Sequence, residues 1–129
     1  MWDKETRKFL SRDQQAVMDK MGLAGDSYLI VKANEMIEQT PVTYEQEDLG
    51  DQAVAHLHYF YGGCDWWITE KDVEDGVSQA FGFACLGDPQ MAELGYISIE
   101  ELTDAGVELD LHWTPITLAE VKAKLRSST

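Results

Sequence analysis

Three histidines and two acidic residues recur at every second position of two segments. His56 and His58 share this spacing in one segment, and Glu108, Asp110 and His112 share it in the other. Side chains two residues apart on a strand project to the same face, and three or four imidazole and carboxylate groups that meet can bind zinc. We favour the alternative, in which these side chains form hydrogen bonds across a sheet, and we predict neither a metal ion nor another cofactor.

A second set of acidic residues falls near the ends of predicted strands. It comprises Glu70, Glu93, Glu108 and Asp110, with Tyr96 as a further candidate. Two carboxyl groups held together can serve as a general acid and a general base. However, no serine, cysteine or histidine is placed as an activated nucleophile would be, and such acids more often cap helices or form turns. The sequence therefore predicts no catalytic residue, and a small hydrolytic or metal-dependent enzyme is the alternative.

The acidic charge is concentrated in the middle of the chain. Among 129 residues, 24 are Asp or Glu and 10 are Lys or Arg, which gives a net charge of −14. Residues 28–116 hold eighteen of these acids and only two bases, Lys32 and Lys71, whereas acids and bases balance in residues 1–27. A field of this sign repels phosphate backbones and membrane surfaces and attracts basic partners. We therefore predict a basic protein surface as the partner, with no direct binding of nucleic acid or membrane.

The acids predicted to meet this partner lie in loops and on one strand. Carboxylates two residues apart on a strand are about 6–7 Å apart, which is a plausible scale for imitating a run of phosphates. High solubility without a partner is the alternative interpretation of the same charge. The predicted partner-binding residues are Glu45, Glu47, Asp48, Asp51, Asp72, Glu74, Asp75, Glu108 and Asp110.

Length and composition favour one domain with an appendage. A chain of 129 residues with 44% hydrophobic residues can bury a core. No apolar run approaches the ~20 residues of a membrane helix, and no secretory pattern is visible at the amino terminus. We therefore predict a cytoplasmic protein.

Apolar periodicity predicts helices at the start of the chain and strands after them. A helix over residues 3–21 carries an apolar stripe that packs on the chain's own core or, as the alternative, joins two chains. A helix over residues 31–39 follows, and the predicted strands cover residues 53–61, 66–70, 78–86, 94–97 and 107–113. We expect residues 1–27 to form a helical extension and residues 28–129 to form an acidic α+β domain.

The predicted domain has a mainly antiparallel sheet of about five strands, with N-terminal, intervening and C-terminal helices. Two of these helices begin with capping-box spacing, Ser98 with Glu101 and Thr117 with Glu120. A hairpin that turns near residues 72–75 would pair the strand over residues 66–70 with the strand over residues 78–86. In that register Ile68 opposes Phe81, Trp66 opposes Phe83, and the sulfurs of Cys64 and Cys85 lie close together.

Eight short motifs are distributed over about residues 29–121. They are LIVK at 29–32, YEQE at 44–47, WWITE at 66–70, FGF at 81–83, ELGYIS at 93–98, EL at 101–102, ELDL at 108–111 and PITL at 115–118. In order and spacing they resemble those of a family of small bacterial domains of unknown function, found on plasmids, phages and other mobile elements. The resemblance implies the fold but no active site.

The mobile-element setting implied by the resemblance favours an anti-defence role. The predicted function is a non-catalytic acidic interaction protein, either an anti-CRISPR or an anti-restriction inhibitor, that blocks a basic nucleic-acid-binding partner. Imitation of nucleic acid by its carboxylates is one way to do so. The alternatives are the enzyme described above and a dimerising structural module that uses the N-terminal helix.

Overall fold

The N-terminal segment forms two helices where the sequence predicts one. A computed structural model describes residues 1–127, and in it a short 3-10 helix over Thr6–Phe9 precedes α1 over Arg12–Leu23. Ser11 lies between them with extended backbone, and its hydroxyl accepts a hydrogen bond from the Gln14 N–H at 3.2 Å. A serine in this position satisfies a free N–H of the first helical turn. The continuous helix over residues 3–21 is therefore wrong, because Ser11 begins a new helix.

The N-terminal segment packs on the rest of the chain. Phe9, Leu10 and Met18 are buried in the same apolar cluster as Ile30 and Ile37 of α2, which spans Tyr28–Gln39. The sequence allows this apolar stripe either to pack on the chain's own core or to join two chains, and Phe9, Leu10 and Met18 pack on the chain's own core. The division of the chain at residue 27 stays a prediction.

The central part of the chain forms an antiparallel sheet, and the predicted α+β class is confirmed. Its strand order is β5-β4-β3-β2-β6, and β1 pairs with β7 in a separate two-stranded sheet. Within residues 1–127 the strands are β1 Val54–Ala55, β2 Leu57–Tyr61, β3 Cys64–Asp72, β4 Gly76–Leu86, β5 Glu93–Ile97, β6 Glu108–Leu109 and β7 Ile116–Thr117. The later helices are α3 Ile99–Asp104 and α4 Leu118–Ser127, with further 3-10 helices over Glu47–Gln52 and Pro89–Met91.

Both predicted capping pairs begin helices. The Glu101 N–H donates to the Ser98 hydroxyl at 3.1 Å at the start of α3. At the start of α4, the Glu120 N–H donates to the Thr117 hydroxyl and the Thr117 N–H donates to the Glu120 carboxylate, each at 3.2 Å. Each bond satisfies a backbone donor that would otherwise be left free at the helix end. None of the helices within residues 1–127 combines the length and apolar character needed to span a membrane.

The two faces of the large sheet bury different clusters. The face that packs on the N-terminal segment, α2 and α3 presents Leu57, Tyr59 and Ile68. The opposite face presents Trp67 and Phe83, together with Cys85, to Leu118 and Val121 of α4. Alternating side chains of a strand point to opposite faces, so both faces of the central strands are covered.

The register of the β3–β4 hairpin differs by one residue from the predicted one. Ile68 pairs with Gly82 and Trp67 pairs with Phe83, whose ring centroids are 5.9 Å apart. The turn lies where it was predicted, with Asp72 paired to Gly76, but β3 is irregular on both sides of Glu70. An irregular residue shifts every pair beyond it and exchanges the two faces of the strand. The predicted pairing of Ile68 with Phe81 and of Trp66 with Phe83 is therefore wrong, and Phe83 packs on the opposite face of the sheet from Ile68.

The same shift separates the two cysteines. Cys64 pairs with Leu86, whereas Cys85 pairs with Asp65. Directly paired residues share a face and neighbouring residues do not, so the two thiols lie on opposite sides of the sheet. The predicted proximity of their sulfurs is wrong.

The last predicted strand is much shorter than expected. Only Glu108 and Leu109 form β6, although Val107, Leu109 and Leu111 are all buried as the alternation predicts. The Asp110 carboxylate accepts the His112 N–H at 2.9 Å, and this contact turns the chain out of the sheet. A strand over residues 107–113 is therefore wrong beyond Leu109.

Candidate functional site

A cleft of about 260 Å³ opens beside β5. The segment after α2 forms one side of it, and β3, β4, β5 and the first residue of α4 form the rest. We call it the aromatic cleft, and the residues that give it its chemistry are Tyr44, Glu47, Glu70, Phe81, Leu94 and Tyr96.

Gln46 fixes the wall that the segment after α2 contributes. Its side-chain amide donates to the carbonyl oxygens of Val54 at 2.9 Å and Thr69 at 2.7 Å, and its carbonyl oxygen accepts the Val54 N–H at 2.7 Å. These partners are backbone groups of two strands, Val54 of β1 and Thr69 of β3. A side chain held by three such bonds has little freedom, so the wall is formed before any ligand arrives.

Glu70 is a buried carboxylate in the wall of the cleft. Its side chain lies opposite Phe81 at the irregular point of β3, and only 4% of the residue is exposed. One carboxylate oxygen, Oε2, accepts a hydrogen bond from the Gln46 N–H. The other oxygen, Oε1, accepts none from residues 1–127. No buried side-chain oxygen of residues 1–127 lacks a partner, so Oε1 is accessible from the cleft and can accept a hydrogen bond there.

Three aromatic rings line the cleft. The hydroxyl oxygens of Tyr44 and Tyr96 are 3.2 Å apart, and the rings of Phe81 and Tyr96 meet edge to face with centroids 5.6 Å apart. The bond to the Tyr44 hydroxyl raises the pKa of Tyr96, and the charges of Glu47 and Glu70 add to that effect. Tyr96 therefore stays a neutral phenol in a region of negative potential.

No positively charged side chain lines the described part of the cleft, since residues 1–127 contribute no lysine, arginine or histidine to it. Lys71, the neighbour of Glu70 in sequence, donates instead to the Ile37 carbonyl oxygen at 2.7 Å. The cleft is chemically suited to a cation with an apolar or planar body, since aromatic faces and carboxylates both attract such a group.

His58 forms a second cluster on the same face of the sheet. Its Nε2 lies 2.8 Å from Asp65 and its Nδ1 lies 3.1 Å from Asp110, while its ring stacks on Trp67 at 5.4 Å and contacts Trp113 at 5.0 Å. Because both nitrogens face carboxylates, neither is left for a substrate or a metal. The predicted hydrogen-bonded role across the sheet is confirmed for His58.

Apart from Asp110, the members of the predicted histidine and carboxylate set form no hydrogen bond with His58 within residues 1–127. Glu108 is exposed opposite Phe60, and His112 is exposed in the turn after β6. Burial lowers the pKa of His56, which favours its neutral form. Residues 1–127 contain no group of three or more His, Cys, Asp or Glu side chains that could hold a metal ion.

The nine acids predicted to bind a partner lie in three separate places. Glu45, Glu47, Asp48 and Asp51 follow α2 beside the aromatic cleft, Asp72, Glu74 and Asp75 form the β3–β4 turn, and Glu108 and Asp110 lie at the far edge of the sheet from β5. Whether they contact a partner stays a prediction.

Several of these carboxylates are engaged within the chain. Asp51 pairs with Lys122 at 2.7 Å. Asp72 accepts the N–H groups of Glu74 and Gln79 at 2.8 and 2.9 Å. Glu45, Glu47, Asp48, Glu74 and Glu108 are exposed and form no ion pair with a described residue. The largest group of unengaged acids is therefore Glu45, Glu47 and Asp48, at the rim of the aromatic cleft.

Sequence reasoning named some residues of the cleft but did not assemble them. The sequence indicates Glu70 and Tyr96 as candidates for acid–base chemistry, whereas Tyr44 and Phe81 belong only to motifs of the family resemblance. The usable signal is the position of those motifs, because YEQE, WWITE, FGF and ELGYIS all contribute to the cleft. Four motifs that are distant in sequence meet at one place in the fold.

The family described as "Protein of unknown function (DUF2958)" matches residues 29–119. The chain belongs to this family. All the residues that line the aromatic cleft fall inside the matched part, and the 3-10 helix over Thr6–Phe9 and α1 fall outside it. No curated protein and no solved structure is similar enough to the chain to be matched.

Proposed function

We propose that this chain is a non-catalytic interaction protein that binds a basic surface of another protein through the rim of the aromatic cleft. The observation that carries the proposal is the group Glu45, Glu47 and Asp48, exposed beside a cleft lined with carboxylates and aromatic rings and without a cation in its described part. Charges of one sign in a concave surface focus the field and raise the rate of association with a partner of opposite sign.

The charge of the surrounding domain supports the same proposal. Residues 28–116 contain eighteen acids, and Lys71, one of their two lysines, is half buried with its ammonium bonded to a backbone carbonyl. Burial lowers the pKa of Lys71, although the nearby charges of Glu38 and Glu45 oppose that effect. Little positive charge from this domain is therefore available at its surface.

The partner class that best suits this surface is a nucleic-acid-binding protein. A groove that holds phosphates presents lysine and arginine side chains, which also attract carboxylates. Occupation of such a groove would block its nucleic acid, and we propose an anti-defence role of this kind, against restriction or CRISPR proteins. The mobile-element setting of the resemblance favours this version of the proposal.

An enzyme is the weaker alternative. A general base needs one ring nitrogen or carboxylate oxygen directed at the substrate. In His58 both nitrogens face aspartates, and Glu70 has no serine, cysteine or histidine beside it in the part of the cleft formed by residues 1–127. The aromatic cleft is thus better suited to binding than to proton transfer.

Two variants with the same net charge test the proposal. The first carries Glu45→Gln, Glu47→Gln and Asp48→Asn at the rim. The control carries Glu35→Gln, Glu38→Gln and Asp104→Asn, which are exposed on α2 and at the end of α3. Basic proteins are captured from host lysate at low salt and purified. Their affinities for both variants are then measured at about 50 and 300 mM salt. These concentrations lie below and above about 0.1 M, where the Debye length is about 10 Å.

We expect the rim variant to bind at least tenfold more weakly than the control and the wild-type affinity to fall steeply with salt. The wild-type protein should also displace nucleic acid from the captured partner in a gel-shift assay. Equal binding of the two variants, or binding that does not change with salt, would contradict the proposal. Nucleic acid that stays bound would contradict the blocking role alone.

A further inference from the structure

The Glu70 carboxylate is incompletely satisfied within the chain. Only one of its oxygens accepts a hydrogen bond from residues 1–127, although the residue is almost fully buried and lines the aromatic cleft. A buried charge is costly unless a donor or an opposite charge compensates it. The second oxygen is not among the buried unsatisfied atoms of residues 1–127, so it is open to the cleft and can accept a donor from outside the chain. A cation in that position would also compensate the charge.

The walls of the cleft select the shape of that group. Phe81 and Tyr96 meet edge to face, and the Tyr44 hydroxyl approaches the Tyr96 hydroxyl above them. A planar guanidinium stacks on aromatic faces and donates two parallel hydrogen bonds to a carboxylate, whereas an ammonium is a strongly hydrated point charge. Because most of the Glu70 side chain is buried, a donor that reaches it must lose part of its own hydration, and the more weakly hydrated guanidinium fits better.

The size of the cleft agrees with a single side chain. Its volume of about 260 Å³ lies below the range of about 300–1,000 Å³ that is typical of sites for drug-sized ligands. Its mouth adjoins Glu47, one of the unengaged rim acids, so an arginine that enters it would bring neighbouring basic residues onto the rim.

We propose that the aromatic cleft receives one arginine side chain of the partner, with its guanidinium on Glu70 and its face against the aromatic rings. This inference rests on the proposed function, since it names the chemical group that the partner supplies. It makes the cleft a specificity site, while the rim acids supply attraction over distance. A partner surface with lysine in place of that arginine binds less tightly.

The inference is tested with small ligands and labelled protein. N-acetylarginine amide is titrated into 15N-labelled full-length chain, in parallel with the neutral citrulline amide and with the lysine amide. We expect saturable chemical-shift changes at the amides of Tyr44, Glu70, Phe81 and Tyr96 with the arginine ligand. The lysine ligand should bind several-fold more weakly, and the citrulline ligand should not bind measurably.

Two variants locate the binding group. Glu70→Gln keeps a carbonyl oxygen for the Gln46 N–H but removes the charge, so arginine binding should weaken at least tenfold. Glu35→Gln, on α2 at the other face of the sheet, removes the same charge from an exposed site and should bind arginine as the wild type does. If Glu70→Gln does not fold, Tyr96→Leu, at an exposed ring, serves in its place and should also weaken binding.

The failures of the two proposals are distinguishable. Unsaturable shifts, equal binding of arginine and citrulline, or unchanged binding by both Glu70→Gln and Tyr96→Leu would overturn the arginine site. If a captured partner still distinguished the rim variant from its control, the proposed function would stand without it. If the partner did not distinguish them, the proposed function itself would fail.

Discussion

The hydroxyl of Tyr59 donates a hydrogen bond to the carbonyl oxygen of Phe9 at 2.6 Å, in the interior of the protein. Tyr59 lies on β2 and is fully buried, and burial raises the pKa of its phenol well above the ordinary value. The bond joins the N-terminal segment, outside the family match, to the sheet inside it. Together with the burial of Phe9 and Leu10, it makes that segment part of the core.

Tyr59→Phe should lower the free energy of unfolding by about 1–2 kcal/mol. The substitution keeps the ring but leaves the buried Phe9 carbonyl oxygen without its donor, and a buried unsatisfied acceptor has a cost of this size. Urea denaturation at neutral pH measures the change. Tyr61→Phe at an exposed position is the control and should have little effect. Equal stability of the Tyr59 variant and the wild type would show that the bond contributes nothing.

Gly82→Ala should destabilise the protein strongly, by about 2–4 kcal/mol. An ideal Cβ at Gly82 would lie 2.0 Å from the Trp67 carbonyl oxygen, and backbone cannot move aside as a flexible side chain can. The matched control is Gly95→Ala, because Gly95 pairs with Gly82 across β4 and β5 and has no atom within 4 Å of a Cβ added there. Thermal or urea unfolding compares the two variants. A Gly82 variant as stable as the Gly95 variant would contradict the close approach.

These two contacts show what the sequence can and cannot predict. Alternation and capping spacing predict the strands, the late helices and the α+β class, because each depends on neighbours within a few residues. The Tyr59–Phe9 bond joins residues 50 positions apart, and no local pattern indicates it. The register error has a similar origin, since the irregularity at Glu70 depends on how β3 meets β4.

The candidate site divides in the same way. Its acidic character is predictable from composition, and the sequence identifies Glu70 and Tyr96 as candidates for acid–base chemistry. Their meeting with Tyr44 and Phe81 depends on the path of the segment after α2, which Gln46 fixes through backbone groups of β1 and β3. The predicted set around His112 fails because the Asp110 turn ends β6 early.

The two cysteines should not form a disulfide within one chain. Cys64 and Cys85 lie on opposite faces of neighbouring strands, and a disulfide requires Cβ atoms about 3.5–4.5 Å apart that point toward each other. After mild oxidation, peptide mapping without reductant should find no peptide that links them within a monomer. Cys85 is buried and Cys64 is partly exposed, so a thiol reagent should label Cys64 first. A linked peptide from the monomer would contradict the register of β3 and β4.

Ser78→Ala should lower stability at neutral pH by about 1 kcal/mol, with a smaller difference in acid. The Ser78 hydroxyl and the N–H groups of Ser78 and Val77 donate to the Asp75 carboxylate, and these bonds, the hydroxyl first, lower the pKa of Asp75 from 3.8 to about 2. Because the folded-state pKa is the lower one, the stabilisation is present above about pH 4 and is lost as the pH falls toward 2.

NMR titration of Asp75 and urea denaturation at pH 7 and pH 3 check this prediction. In the variant the Asp75 pKa should rise toward its ordinary value, because the two backbone donors remain but the hydroxyl is lost. Gln79→Ala, at the exposed next position, keeps every donor to Asp75 and should show the same difference from wild type at both pH values. A Ser78 variant that titrates as the wild type does would mean that the hydroxyl does not stabilise the charged carboxylate, and that the backbone N–H groups alone hold the turn.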